Sequence, residues 1–426
     1  MNLKNIRAAS LAALVASSAV VSTPVFAAND AMIELLKVLR DNGTINDEAF
    51  NLLKNSAAAD EEKTDAKIEE TAEKKLASVN KISDSLKWAE KIKLKGDLRL
   101  RRESSKDSPE NGSSSTRERY RIRARLGAEA EVTDAVKVGI GLATGGEGRT
   151  TSRSTNQSLD NNFGTKSIGL DFAYAEWAIN NNFKVVGGKF KRKEYLWAPT
   201  DMLWDGDINP EGVSGHAQFE NTAGLSYANA GHWILEEESG LTDDPTLSYI
   251  QIGHKFKSGN FFGNVAGTYY NFDNLSDTSD LNFSTTTVNN LDSYGLSAEL
   301  GMKDIFIAGK QVSIFTDYIM NNESGVDEDT GVAVGFKFGD AKVKNRHQWQ
   351  FKYVNVDLEQ DAFLASYPDS DRLGGDTGIE SHEFGFKYGL AKNIHLGLDY
   401  YDSERDSPSF DDDEEKLFQA DIVFKY

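Results

Sequence analysis

The chain has 426 residues, no cysteine and a formal net charge of −20, from 67 acidic against 47 basic side chains. Without cysteine neither a disulfide framework nor a thiolate metal centre can form, and so acidic a chain repels a phosphate backbone, which excludes general nucleic-acid binding. The length fits two or three soluble domains or one large barrel, and only 7 prolines beside 36 glycines, 23 Phe, 15 Tyr and 6 Trp suit strands joined by tight turns.

Residues 1–28 read as a signal peptide. Lys4 and Arg7 form a basic start, Ala8 to Val21 a short apolar run, and Val25-Phe26-Ala27 places small residues for cleavage after Ala27 or Ala28. Residues 29–90 read as a helical segment, expected in the periplasm. Ala31 to Leu39 has apolar residues at helical spacing, Asn42-Gly43 is a stop signal, and Asn46 or Asp47 can cap a second short helix carrying Ala49, Phe50, Leu52 and Leu53. This stretch resembles the small helical-hairpin modules found at the ends of bacterial proteins. Over 57–90, Ile68, Ala72, Leu76, Val79, Ile82 and Leu86 recur every three or four residues in an Ala-, Glu- and Lys-rich background. That pattern fits a solvated linker helix or a trimerising coiled coil. No later stretch approaches the roughly 20 apolar residues of a spanning helix, so a mature chain that crosses a membrane must do so as a closed barrel.

From Ile92 the period changes to two. Ile92, Leu94, Leu98 and Leu100 alternate with Lys93, Lys95, Asp97, Arg99 and Arg101. In the next strand Arg117, Arg119, Arg121, Arg123 and Arg125 point one way while Tyr120, Ile122, Ala124, Leu126, Ala128 and Ala130 point the other. Lipid outside and water inside satisfy both faces at once. After Val136 to Leu142, strand-like runs recur near 166–179, 183–193, 215–228, 231–237, 246–257, 260–271, 292–303, 305–320, 331–338, 343–356, 380–390, 393–402 and 416–426. Short links, among them Asn180-Asn-Asn182, Asn229-Ala-Gly231, Ser258-Gly-Asn260, Lys303-Asp304 and Ala391-Lys-Asn393, alternate with long ones, the first at 104–116, the second at about 145–165, the third at 194–214, and then 272–291, 321–330, 357–378 and 403–415. The expectation for 91–426 is an all-β, transmembrane antiparallel β-barrel of about 16 strands.

The last run places Phe418, Ala420, Ile422, Phe424 and Tyr426 on alternate positions. At this point the chain resembles the Gram-negative porins of the 16-stranded type, over roughly Ile92 to Tyr426. Porins typically end in Phe, so Tyr426 departs from the pattern, and the helical segment before the barrel looks like porin families with a periplasmic extension. The resemblance implies an outer-membrane channel in contact with lipopolysaccharide, a homotrimer, and a last strand (Phe418, Ile422, Phe424, Tyr426) read by the barrel-assembly machinery. It also implies that the third long loop folds into the barrel. Here that loop, 194–214, holds Tyr195, Trp197 and Trp204, too much apolar surface for a loop in water.

In that arrangement the loop carboxylates Asp201, Asp205, Asp207 and Glu211 face a basic wall made of Arg99, Arg101, Arg117, Arg119, Arg121, Arg123, Arg125, Lys189, Lys191 and Lys193. Two alternatives stay open: the arginines are paired by acidic neighbours and serve only barrel stability, and the loop aromatics pack on a neighbouring subunit. The function expected is passive diffusion of small hydrophilic solutes and ions. Beside it stand a channel selective for anions such as carboxylates or phosphate, and a structural anchor tethered through 30–90. The six histidines lack ligand spacing, Gly139 to Gly145 lacks the helix a dinucleotide loop requires, and Asp411 to Glu415 reads as an acidic loop tip. No organised catalytic triad stands out, so neither an enzyme nor a metal or cofactor site is expected.

Overall fold

In the computed structural model the residues described are 23–145, 152–237, 243–275, 291–324, 326–407 and 413–426. Residues 1–22 of the expected signal peptide, the side chains of Val79, Ile82 and Leu86, and Asp411 and Asp412 lie outside them. Two units separate between Glu90 and Lys91.

The first unit is a helical hairpin, α1 (Thr23–Asp41) and α2 (Asp47–Glu90). Gly43 turns the chain at φ +72, and Asn46 caps α2 by accepting the Ala49 N–H at 2.9 Å. Leu36, Phe50 and Ala57 are buried in the hairpin. In place of a short second helix and a separate linker there is one helix of 44 residues, because Ala57-Ala58-Ala59 offers no breaker and favours continuation. No described helix is long and apolar enough to cross a membrane.

The second unit is a closed antiparallel barrel of sixteen strands: β1 (Ile92–Ser108), β2 (Ser115–Glu131), β3 (Val136–Thr144), β4 (Ile168–Ala178), β5 (Phe183–Lys189), β6 (Glu211–Asn221), β7 (Gly224–Ile234), β8 (Thr246–Ser258), β9 (Phe261–Asp273), β10 (Leu291–Lys303), β11 (Gln311–Asn321), β12 (Thr330–Gly339), β13 (Trp349–Leu358), β14 (Ile379–Ala391), β15 (Ile394–Arg405) and β16 (Glu414–Lys425). Each pairs with its neighbours in sequence, and β1 pairs with β16 to close the ring. A two-residue strand, Gln157–Ser158, adds onto β2 from the second long loop. Closure gives each of the sixteen strands a neighbour on both sides, as lipid demands of the spanning part. The side-chain pattern is inverted relative to a soluble protein. On β11, Ile314 and Tyr318 face outward and exposed while Ser313, Phe315 and Asp317 are buried inside.

Several strand ends differ from the expectation. Asn229-Ala-Gly231 is not a turn but lies inside β7, with Asn229 buried and hydrogen-bonded to Gln251 at 3.1 Å. The turn is at Asn221 to Gly224, where the Asn221 side chain accepts the N–H groups of Ala223 and Gly224. Residues 304–310 and 340–348 are connections rather than strand, and Glu211 opens β6 instead of belonging to the loop before it.

The seam explains the terminal tyrosine. Gly96 and Tyr426 exchange backbone hydrogen bonds, a Cβ on Gly96 would stand 2.6 Å from the Tyr426 ring, and the Tyr426 hydroxyl donates to the Arg125 carbonyl at 3.0 Å. One side chain just past the end of β16 thus crosses β1 and fastens β2. Tyr426→Phe should lower stability by about 0.5–1.5 kcal/mol through the lost hydrogen bond. Gly96→Ala should cost more, since its Cβ meets the Arg125 carbonyl at 2.3 Å. Thermal unfolding of the detergent-solubilised barrel checks both.

Candidate functional site

The register of β1 with β2 sets Asp97 opposite Arg125, Arg99 opposite Arg123, Arg101 opposite Arg121 and Glu103 opposite Arg119. Like charges facing across strands are unfavourable, and carboxylates relieve them. Arg101 makes two 2.8 Å bonds to Asp421 of β16, Asp97 accepts from Arg123 at 3.0 Å and Arg125 at 2.9 Å, and Glu103 accepts from Arg119 and from Arg121 at 3.1 Å. Arg99 is held at 2.6 Å by the Asn156 side chain of the second long loop. The ladder is therefore paired along most of its length.

The third long loop, residues 190–210, folds into the barrel. Asp207 reaches the wall itself, with Oδ1 at 3.0 Å from Arg125 and 3.6 Å from Arg123, while Oδ2 accepts from Thr155 at 3.1 Å. Asp205 faces the other way and accepts from the Ser370 amide and hydroxyl at 3.1 Å. Asp201 pairs with Arg372 at 3.1 Å. Glu211 pairs with Lys189 at 2.8 Å. Tyr195 donates to Glu176, and Trp197 exchanges hydrogen bonds with Gln251 at 2.8 and 2.9 Å.

A second loop, 359–378, also turns inward, and sequence reasoning missed it. Trp204 is buried between the two loops and the wall: it stacks on Tyr367 at 5.1 Å and meets Phe363 and Trp233 edge-on at 5.4 and 5.6 Å. Around it Leu196, Met202, Leu364, Leu247, Ile319 and Val356 form one apolar cluster. The signal was available, since Ala362-Phe-Leu-Ala365 and Tyr367 interrupt a polar loop as the tryptophans interrupt the earlier one. Arg153, whose side chain donates to the Ala365 carbonyl at 3.0 Å, ties the second long loop to this pair.

The cluster divides the lumen. Beside it lies a cavity of about 780 Å³ whose lining, among the described residues, comes from β1–β4, β13–β16 and the inward loops, and none from β5–β12. Arg99, Arg101, Arg123, Arg125, Lys191 and Lys193 line it, as do Asp201, Asp205 and Asp207. Arg117, Arg119, Arg121 and Lys189 do not. Lys189 departs from the expected wall because β5 ends there, so Lys191 and Lys193 sit in the following turn and no longer share its alternation. Tyr195 and Trp204 belong to the apolar cluster rather than to the cavity wall. Phe418, Ile422 and Tyr426 are exposed on the outer face.

Burial is the largest influence on Asp205 and raises its carboxyl to about 7; Asp207 and Asp201 add to the rise, while the amides of Asp207 and Ser370 oppose it. Folded chains thus hold a proton here at a pH where unfolded chains, titrating near 3.8, have lost theirs. The contribution to stability is full below about 4 and is lost as pH rises through about 7. In thermal unfolding, wild type should gain relative to Asp205→Asn as pH falls from about 8 to about 5, and an unchanged difference would count against this burial.

The profile of a family described as "Putative porin" matches residues 104–300 and 308–423. No curated protein matches the sequence. Among solved structures, Pseudomonas putida OprB at high pH superposes with a TM-score of 0.53 at 12% identity, covering 79% of this chain and 95% of that one. The outer membrane channel DcaP of Acinetobacter baumannii gives 0.48 at 14% identity, covering 79% and 97%. The trimer form of Vibrio cholerae OmpT gives 0.42 at 12%, covering 79% and 99%. With the family profile spanning most of a closed sixteen-stranded barrel, the chain belongs to this porin family and is an outer-membrane β-barrel channel.

Proposed function

We propose that the barrel passes small hydrophilic solutes and ions by passive diffusion along the β1–β4 and β13–β16 side of its lumen, narrowed where the third long loop docks on the arginine wall. The observation that carries this reading is Asp207, a loop carboxylate ion-paired with both Arg125 and Arg123 beside an open charged cavity. The wall sets ion preference through the balance of those pairs rather than as a free row of cations. A second reading, a channel preferring anions such as carboxylates or phosphate, is favoured by Lys193, Lys387 and Lys425. These line the cavity and, among the described residues, have no carboxylate within 4.0 Å.

The same proposal places the 29–90 segment in the periplasm, assembles the barrel as a homotrimer within lipid and lipopolysaccharide, and has the outward residues of β16 read by the barrel-assembly machinery. A structural tether through 30–90 remains compatible with the channel.

Single-channel recording in a planar bilayer under a salt gradient tests the reading, with the sign of each change fixed by the pairs. Arg123→Ser with Arg125→Ser leaves Asp97 and Asp207 uncompensated and should move the reversal potential toward cation preference. Asp207→Asn leaves Arg123 and Arg125 with Asp97 as their one shared carboxylate and should move it toward anions. Arg117→Ser, away from the cavity, should leave it in place. Channels indifferent to all three would discard the wall as selectivity element. Folded barrels without channels would sink the diffusion reading and leave the tether as the remaining role.

A further inference from the structure

Arg372 lies on the 359–378 loop among acidic residues, where a solvated side chain would be ordinary, yet its side chain is 1% exposed. Nη2 donates to Glu383 Oε2 of β14 at 2.5 Å and to Asp201 Oδ1 of the 190–210 loop at 3.1 Å. Nη1 reaches the Ser381 hydroxyl at 3.4 Å, Nε stands 3.6 Å from Asp369 Oδ2 on its own loop, and the guanidinium carbon lies 5.3 Å over the Tyr401 ring of β15. One guanidinium therefore joins both inward loops to two wall strands.

The arrangement is electrostatically one-sided without it. Asp201, Asp369 and Glu383 converge on this point, and besides Arg372 the facing cations are Lys352 of β13, paired with Glu383, and Lys193, which acts on Asp201 from a distance. Breaking a buried ion pair strands its partners in a medium that penalises charge. Three carboxylates would then repel one another across the contact between loop, loop and wall. Asp201, Asp369, Glu383 and Tyr401 line the cavity, whereas Arg372 is not among the lining residues. It acts on the channel through its neighbours and not by touching solute.

We propose that Arg372 is a positioning residue, a latch that holds the 359–378 loop and the 190–210 loop against the wall and thereby fixes the width of the channel. This rests on the diffusion reading for its effect on current, but the loop closure it asserts can be measured separately. The absence of cysteine makes that measurement clean. Ala362 is fully buried in the second loop, so Ala362→Cys introduces a single thiol that a water-soluble maleimide reaches only when the loop lifts.

The experiment measures single-channel conductance of the full chain, and maleimide labelling of folded Ala362→Cys, in the wild-type and Arg372→Ala backgrounds. The expected result is an increase in conductance of at least about twofold, from the wider aqueous cross-section, together with labelling of the introduced thiol only when Arg372 is replaced. A thiol still protected after Arg372 is replaced would overturn the latch, and labelling with unchanged conductance would overturn its control of channel width. Should Arg372→Ala not fold, Glu383→Gln, which removes the charge that ties the 359–378 loop to the wall strand, is followed by the same two measurements with the same outcomes for and against. If folded wild-type barrels pass no current, the diffusion reading falls, while labelling of the introduced thiol still decides whether Arg372 holds the loop down.

Discussion

A ring of sixteen strands encloses more volume than its own inward side chains can fill, and how that volume is divided governs everything else in the barrel. Here apolar loop residues and apolar wall residues meet on the β5–β13 side, with Trp204 at their centre. The charged cavity lies on the opposite side. A fully buried tryptophan or leucine gains on the order of 1.5–3 kcal/mol over an exposed one, so several such residues hold two long loops inside a cavity that solvent would otherwise occupy. That cavity is bounded as much by what the plug fills as by what the wall presents.

On the open side the governing quantity is charge balance. Five arginines on one strand repel one another, and the low exposure of Arg119, Arg121, Arg123 and Arg125 would make that repulsion worse were they unpaired. Asp97 and Glu103 on β1, with Asp207 from the loop, compensate Arg119, Arg121, Arg123 and Arg125, and Asp421 on β16 compensates Arg101 on β1. The ladder is at once a structural device and a charged surface. Its two roles, framed as alternatives by the sequence, coincide at Asp207, where a salt bridge both docks the loop and borders the cavity.

The barrel was legible because its signal is a period, repeated over some three hundred residues and tied to a physical inversion of inside and outside. Individual ends were less so. Asn229-Ala-Gly231 has turn chemistry, but Asn229 serves as a lumenal hydrogen-bonding group, while the weaker-looking Asn221 to Gly224 makes the turn. The docking of Trp204 followed from excess apolar surface, and Phe363 and Leu364 carry the same excess in the second inward loop. The partners of the ladder could not be read, because strand register decides that Arg101 meets Asp421 and no local pattern records it. Nor could Arg153, Asn156 and Arg372, polar residues in polar loops whose contacts exist only once three loops have converged.

The central claim is that water runs along one half of the lumen only. Its most direct test is thiol accessibility, with single cysteines placed in turn at Arg99, Arg123 and Lys425 on the open side and at Ala333 and Val356 beneath the plug, and a charged, water-soluble methanethiosulfonate applied during current recording. The account predicts that modification at the first three positions reduces the current and that the last two stay unreactive in folded barrels. Equal reaction at both sets would contradict it, showing a lumen open across its full width.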